Sequence, residues 1–359
     1  VYKRQFVRHD DHASIASTSV VFAACLLGFV CSDKRQRLVL ALSLLAWLYI
    51  ETNHTDAFVL KWRITENIHN TYWYRWQGLY SRISQDDALT VMFEQSLDAI
   101  KTEYAIPRLP GSVDIYSFDQ AYLLASDNKW TPRPVMQSYS AYTSRLAEIN
   151  EQHLRYDDAP DNVLFTLQPI DERFPSLDDG LSWPALFDNY TVTKLDKNFA
   201  YLSKNAVMRS KSNFEPFYKG EKKIGETIAF LNNDPVYAKI SLKPTLLGKF
   251  LGIIFKQPQL KMRVKLKNGN TKEYRVLATM MESGFVLSPL IQTTKDFVFL
   301  ATGNHSYIEK NTVDNFEIIS PYGGSLFWNA TYRLILKTYR GSTTNLPENI
   351  LLTSMTAFE

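Results

Sequence analysis

Residues 112–126 read SVDIYSFDQAYLLAS. SVDIY (112–116) has the short, β-branched, alternating character of a strand. The stretch after it is helical, and Ser117 with Gln120 makes a capping-box pattern at its start. The switch recurs downstream. PVMQSY (134–139) reads as a strand and is followed by TSRLAEINEQHL, which Thr143 would cap. NVLFTL (162–167) reads as a third strand and PALFDNY as another helical turn. A β-α-β-α-β alternation predicts a small, largely parallel sheet with helices packed on it. Upstream, Ser84 would cap a helix with Leu89, Met92, Phe93, Leu97, Ile100 and Tyr104 on one face, ended by PRLPG (107–111). This α/β domain is expected over residues 84–205.

Residues 206–340 read differently. LKMRVKLKNGNTKEYRVL (260–277) is a hairpin pattern: Met262, Val264 and Leu266 alternate with Arg263, Lys265 and Lys267, and Asn268-Gly269 supplies the turn. FVFLA (297–301), NFEIIS (315–320) and SLFWNATYRLILKTY (325–339) add strands, the last with Trp328, Ala330, Tyr332, Leu334 and Leu336 on one face. Several strands with turn signals between them predict an antiparallel β-sandwich, with a tail over 341–359. The stripe Lys261, Arg263, Lys265 and Lys267 could meet an anionic glycan or lipid headgroup, but is expected to be a solvated face that guards the strand against wrong pairing. In TLLGKFLGIIFK, Leu246, Leu247, Phe250, Leu251 and Ile254 share a helical face, expected to pack under the sandwich, the alternative being a helix on the membrane surface.

The first sixty residues suggest a membrane anchor. Ala13 to Cys31 carries no charge and is long enough to cross a hydrocarbon core of about 30 Å. SDKRQR and a second apolar run, Leu38 to Ile50, follow, so a helical hairpin spanning about 13–31 and 38–50 is expected. The second span either exits near Trp47 and Tyr49 or continues through ETNHTDAFVLKW. Lys34, Arg35 and Arg37 in the connecting loop place that loop in the cytoplasm by the positive-inside rule. Residues after about 51 would then be extracytoplasmic. The expected fold class is therefore a membrane-anchored α+β protein: two transmembrane helices within 6–60, a small α/β domain, then an antiparallel β-sandwich. The opening VYKRQ (1–5) resembles the translated end of a transposase adapter, the alternative being a genuine basic N-terminus; on the adapter reading the native sequence is expected to start at Phe6, with further membrane helices upstream.

Composition excludes more than it assigns. The formal charge of +3 includes Lys3 and Arg4, and without them the basic excess is one residue. With no zinc-finger spacing and no basic run with interleaved aromatics, nucleic acid is not an expected partner. Both cysteines, Cys25 and Cys31, lie in or beside the first apolar run, so the rest of the chain has no disulfide scaffold, Cys-based metal site or Cys nucleophile. The RHDDH segment (8–12) has ligand-type side chains but sits at a terminus, and no metal site is assigned. Gly111 stands alone, so there is no phosphate loop, and no G-x-S-x-G elbow is present. No cofactor is implied.

Parallel sheets gather functional groups at the carboxyl ends of their strands. Here those positions carry Asp114 and Asp119, then Arg133, Gln137, Tyr139 and Tyr142, then Asp171 and Arg173. Carboxylates and amides can bind sugar hydroxyls, carboxylates can exchange protons, and tyrosine rings can stack on sugar faces. Each carboxylate can equally be a helix cap, a turn residue or the partner of Arg133 or Arg173.

The phrases PRPVMQSYSAYT (132–143), APDNVLF (159–165) and PIDERFP (169–175) resemble the outer C-terminal region of a family of multi-pass bacterial inner-membrane proteins, over about 84–335. The resemblance carries no activity with it. Membrane helices followed by an outer mixed domain is also the layout of glycosyltransferases that use lipid-linked sugars, an analogy of layout alone. The leading expectation is a C-terminal part of a membrane protein of envelope glycan assembly, its chemistry in a segment upstream, with the bilayer and a glycan or lipid-linked sugar as partners. The alternative is a non-catalytic binding or scaffolding module. A third reading is a hydrolase using Asp114, Asp119 or Asp171. The sequence does not decide whether the chain is an enzyme.

Overall fold

The computed structural model describes residues 11–30, 34–54, 59–84, 87–156, 158–230, 234–254, 258–320 and 324–341. The opening VYKRQ, most of RHDDH and nearly all of the 341–359 tail lie outside them. Contacts divide the chain into two units, residues 1–95 with 250–256, and residues 96–249 with 257–359.

The first unit holds α1 (Asp11–Val30), α2 (Lys34–His54), α3 (Val59–Ser84) and the start of α4 (Ala88–Glu103). The first two pack on each other, and the Trp47 indole donates to Thr18 Oγ1 at 3.1 Å. Among the described residues, no helix is long and apolar enough to cross a membrane. In α2 the apolar run Leu38–Ile50 gives only about 20 Å at ~1.5 Å per residue, against the ~30 Å of a hydrocarbon core. It is bounded by KRQR before and ETNH after, inside the same helix. In α1 the described side chains cover only Thr18–Leu27. The two-span anchor is thus corrected. The inner-membrane location and the extracytoplasmic side of the later residues rested on it and go with it. Ser84 does not cap a following helix either: it is the last residue of α3, and its hydroxyl donates to the Tyr80 carbonyl.

The second unit opens with a five-stranded sheet in the order β2-β1-β3-β5-β4. Its strands are β1 (Ser112–Tyr116), β2 (Lys129–Trp130), β3 (Asn162–Phe165), β4 (Tyr190–Leu195) and β5 (Ala200–Lys204). Strands β1, β2 and β3 are parallel, whereas β5 runs antiparallel to both β3 and β4. The sheet is therefore mixed. The reason is local: Asp196 Oδ1 accepts from the Asn198 and Phe199 amides, closing a tight turn between β4 and β5 that only antiparallel strands can use. The helices are α5 (Gln120–Leu124), α6 (Ser144–His153) and α7 (Ser182–Asn189). Thr143 caps α6, its side chain accepting from the Leu146 amide. Ser117 does not cap α5; Asp119 holds the N-cap position without a side-chain bond. PVMQSY is not a strand. Asn150 of α6 satisfies both polar groups of the Val135 backbone, so that segment has no need of a ladder, and β2 takes the place beside β1.

Two antiparallel four-stranded sheets follow and face each other as in a sandwich. One has the order β10-β9-β12-β7 and the other β11-β8-β13-β6. The first comprises β7 (Ile228–Ala229), β9 (Leu260–Leu266), β10 (Thr271–Val276) and β12 (Val313–Ile319), and the second β6 (Phe214–Lys223), β8 (Val236–Ser241), β11 (Phe285–Ser288) and β13 (Thr331–Tyr339). Met262, Val264, Leu266, Phe316 and Ile318 of one sheet share a buried core with Ala238, Ile240, Leu334 and Leu336 of the other. The 260–277 hairpin forms as its pattern predicts, with Gly269 at positive φ in the turn. The basic stripe is paired across strands: Arg263 lies opposite Glu273 on one side and Glu317 on the other, and bonds to both. FVFLA is not a strand. It lies in α10 (Thr294–Ala301), which follows the short α9 (Ala278–Met281) and starts with a capping box between Thr293 and Asp296. Leu246 and Leu247 of α8 (Leu246–Ile254) are exposed, not packed under the sandwich. A short α11 (Gly324–Phe327) precedes β13.

The mixed sheet and the sandwich share a core. Phe165 of β3 stacks on Phe297 of α10, their ring centroids 3.6 Å apart. Trp183 and Phe187 of α7, Tyr237 of β8 and Val286 of β11 belong to the same buried cluster.

Candidate functional site

The site lies where parallel strands release their chains. Beyond the carboxyl ends of β1 and β3 runs a small cleft, partly open to solvent. Tyr116 and Ser117 come from the end of β1, and Phe165 through Pro169 from the end of β3. Ser138, then Pro175 and Asp178, then Trp183 of α7, complete the lining. The walls are mostly apolar, from Phe165, Leu167, Pro169, Pro175 and the Trp183 ring.

Two buried arginines hold the polar side of this cleft. Arg133 is 1 % exposed. It pairs with Asp114 Oδ2 at 2.9 Å and donates to the carbonyls of Ile115, Ser117 and Met136 and to Ser138 Oγ. Its guanidinium also sits 4.0 Å from the centre of the Tyr116 ring. One side chain thereby fixes the positions of Ser117 and Ser138. The second, Arg173, pairs with Asp178 Oδ1 at 3.0 Å and donates to the Tyr139 carbonyl and the Tyr142 hydroxyl. Asp171, at positive φ, accepts from Arg275 at 3.1 Å.

Asp178 and Asp179 sit side by side in the turn between Pro175–Leu177 and α7, and both are buried. Burial pushes the Asp178 carboxyl up to about 6, against the opposing pull of Arg173. Burial does the same to Asp179, also to about 6, opposed by Arg133 and by hydrogen bonds from Tyr116 and Asn150. Those bonds are short: Tyr116 Oη donates to Asp179 Oδ2 at 2.6 Å and Asn150 Nδ2 to the same oxygen at 2.9 Å. Asp179 has a φ of 55°, a conformation that Asp adopts more readily than most residues. Gly180 follows because a Cβ there would lie 2.5 Å from the Ser176 carbonyl oxygen and 2.6 Å from that of Gly284.

Four buried polar atoms of the residues lining the cleft have no protein partner: Ser117 Oγ, Gln168 Oε1, Asp178 Oδ2 and Trp183 Nε1. Buried polar atoms are nearly always bonded, because desolvation without a bond costs about 1–3 kcal/mol each. Four of them on residues lining one cleft mark a place that can receive a ligand.

The eight residues singled out in the sequence divide between clusters beside this cleft. Asp114 with Arg133 forms one, and Tyr139, Tyr142, Asp171 and Arg173 meet in another. Asp119 accepts from Gln168 Nε2 at 2.6 Å, behind a residue of the lining. Gln137 accepts from the Tyr139 hydroxyl at 2.7 Å. None of the eight lines the cleft itself. Sequence reasoning missed Ser117 as a lining residue, and it missed Gln168, Asp178, Asp179 and Trp183 altogether. The one signal for the acidic pair was DDG (178–180), which in a sequence reads as a solvated turn. Among the described residues, no group of three or more His, Cys, Asp or Glu is placed to hold a metal ion.

No protein-family model matches the chain, and no characterised protein matches it in sequence.

Proposed function

We propose that the chain acts as a non-catalytic binding module, with the cleft beyond β1 and β3 holding a small polar group of its ligand. The observation that carries this reading is the set of unpartnered buried atoms on Ser117, Gln168, Asp178 and Trp183, which line one cleft. A hydrolytic reading has less support. Asp114 is held by Arg133 and the Trp130 indole, Asp119 by Gln168, and Asp171 by Arg275. Carboxylates engaged in this way are poorly placed to exchange protons with a substrate.

The test is a thermal-unfolding screen of the full chain against neutral sugars, sugar phosphates, amino acids, amines and carboxylic acids. At least one compound is expected to raise the unfolding midpoint saturably, and Ser117→Ala is expected to abolish that rise. A screen in which nothing raises the midpoint would overturn the reading. So would turnover of any compound that disappears in Asp114→Asn, Asp119→Asn or Asp171→Asn while the variant stays folded.

A further inference from the structure

We infer that the exposed aromatic face of α3 lies against the surface of an anionic lipid bilayer. This does not rest on the cleft and goes beyond the binding reading above.

The second half of α3 reads YWYRWQGLYSRIS (72–84). Tyr72, Trp76, Leu79, Tyr80 and Ile83 recur at i, i+4, i+7, i+8 and i+11, the spacing that gathers side chains on one helical face. Trp73 stands at the edge of that face, one turn before Trp76. These six residues are between 50 % and 76 % exposed. The opposite side carries Gln77, Gly78 and Ser81, and the Ser81 hydroxyl donates to the Gln77 carbonyl of the same helix. Of the aromatic residues in the stretch, Tyr74 alone lies on that side.

An exposed apolar face of this kind marks a surface that meets a partner, and its chemistry selects the partner. Four of its six residues are Trp or Tyr, whose rings are apolar and whose tips are polar. Such side chains favour the layer between hydrocarbon and headgroups, where water and headgroup oxygens serve the polar tips. Arg75 and Arg82 stand two turns apart along one border of the face, both exposed, and the stretch has no Asp or Glu. Arginines bordering an apolar face reach the phosphates of anionic lipids. Gln77 and Ser81 on the far side keep that side in water, so the helix lies in the plane of the surface and does not cross it. A second copy of the chain fits less well. Face-to-face pairing would bring arginine borders together with no carboxylate in the stretch to answer them, and would bury the Trp and Tyr tips.

The test is flotation of the purified full chain with vesicles of phosphatidylcholine, made with and without phosphatidylglycerol. The chain is expected to float with the anionic vesicles and to bind the neutral ones more weakly. Trp76→Ser combined with Ile83→Ser should weaken binding about tenfold or more, because it removes apolar area from the face. Arg75→Gln combined with Arg82→Gln should weaken it about tenfold, on the anionic vesicles alone. Tyr74→Ala, on the far side, should bind as the parent does. Circular dichroism checks the fold of each variant, and Tyr72→Ser combined with Tyr80→Ser takes the place of the first pair should that not fold. Absence of flotation would overturn the inference, as would flotation that the changes on the face leave untouched. Equal affinity for both kinds of vesicle would overturn the assignment to anionic lipid. A chain that ignores vesicles but self-associates in analytical ultracentrifugation, and is made monomeric by the Trp76 and Ile83 changes, would give the face to a second copy and overturn the inference.

Discussion

The Tyr116 hydroxyl donates to Asp179 Oδ2 at 2.6 Å, and this bond joins the end of β1 to the turn that carries both buried aspartates. Asn150 of α6 reaches the same oxygen, and Arg133 lies over the Tyr116 ring. A strand end, a helix and a turn are thus fastened at one carboxylate. Burial raises the Tyr116 hydroxyl's pKa well above its ordinary value, and the neighbouring Asp179 raises it further, so the hydroxyl keeps its proton and donates the hydrogen bond.

The acidic pair should make stability fall as pH rises toward neutrality. An unfolded Asp titrates near 3.8, whereas both buried carboxyls titrate at about 6. Between those values the folded chain binds protons that the unfolded chain does not, so stability is greater near pH 5 than at pH 7. His153, whose pKa burial lowers, works in the opposite sense as pH falls through about 6.5. Comparing variants removes that contribution. In urea unfolding between pH 4.5 and 7.5, Asp179→Asn is expected to flatten the gain seen on acidification. An unchanged slope would mean that Asp179 is not the titrating group.

Arg133 is expected to be the costliest single charge to remove. Arg133→Met leaves Asp114 buried without its partner and three carbonyls short of a donor, which should cost about 3–5 kcal/mol in urea unfolding. Adding Asp114→Asn should restore part of the loss. A double variant no better than the single one would show that the ion pair is not the main contribution.

Gly180→Ala should fail for a steric reason that Gly269→Ala does not share. The Gly180 Cβ would meet two backbone oxygens, while at Gly269 nothing lies within 4 Å. The Gly269 variant should cost only the ~1–2 kcal/mol of a left-handed turn residue. The first should lose clearly more, read as the shift in chemical-denaturation midpoint. Equal losses would sink the idea that close packing behind Asp179 shapes the turn.

Arg263→Ala should matter little despite its bonds to Glu273 and Glu317. The group is exposed, and exposed pairs contribute little because water screens them. A loss in unfolding measurements as large as that of Phe297→Ala would mean that the cross-strand ladder is more than a solvated face.

Phe297→Ala should report whether the mixed sheet and the sandwich melt together. Removing its ring from the stack on Phe165 should cost about 3–5 kcal/mol. Signals from Trp183, in the shared cluster, and Trp328, in the sandwich core, should shift to the same new midpoint. A shift at Trp183 alone would show two separately melting bodies.

Much of the architecture was legible in local pattern. The alternation of SVDIY placed β1, NVLFTL placed β3, Asn268-Gly269 placed the hairpin turn, and Thr143 placed the start of α6. In each case the deciding contacts lie within a few residues, so spacing reports them. Two apolar stretches misled. Phe297–Leu300 reads as a buried strand because a helix sunk into a core is buried on every side, and period alone cannot separate the two. The apolar runs near the start of the chain read as membrane spans, whereas no described helix meets the length and apolarity of one.

The candidate site was legible only at its edge. Arginines, tyrosines and carboxylates in PRPVMQSYSAYT and PIDERFP announced a polar cluster, and they do meet, but as the frame behind the cleft. The sequence by itself determined those strands, turns and caps that local contacts set, and the residue types near their ends. Only the tertiary structure decided that DDG is buried, because the groups packed around that turn come from elsewhere: Tyr237 bonds to the Gly180 carbonyl, Val286 accepts from Ser176, and Tyr116 reaches Asp179. Burial, and with it the raised pKa values and the unpartnered atoms, is a property of surroundings contributed from up to 110 residues away, which no local window contains.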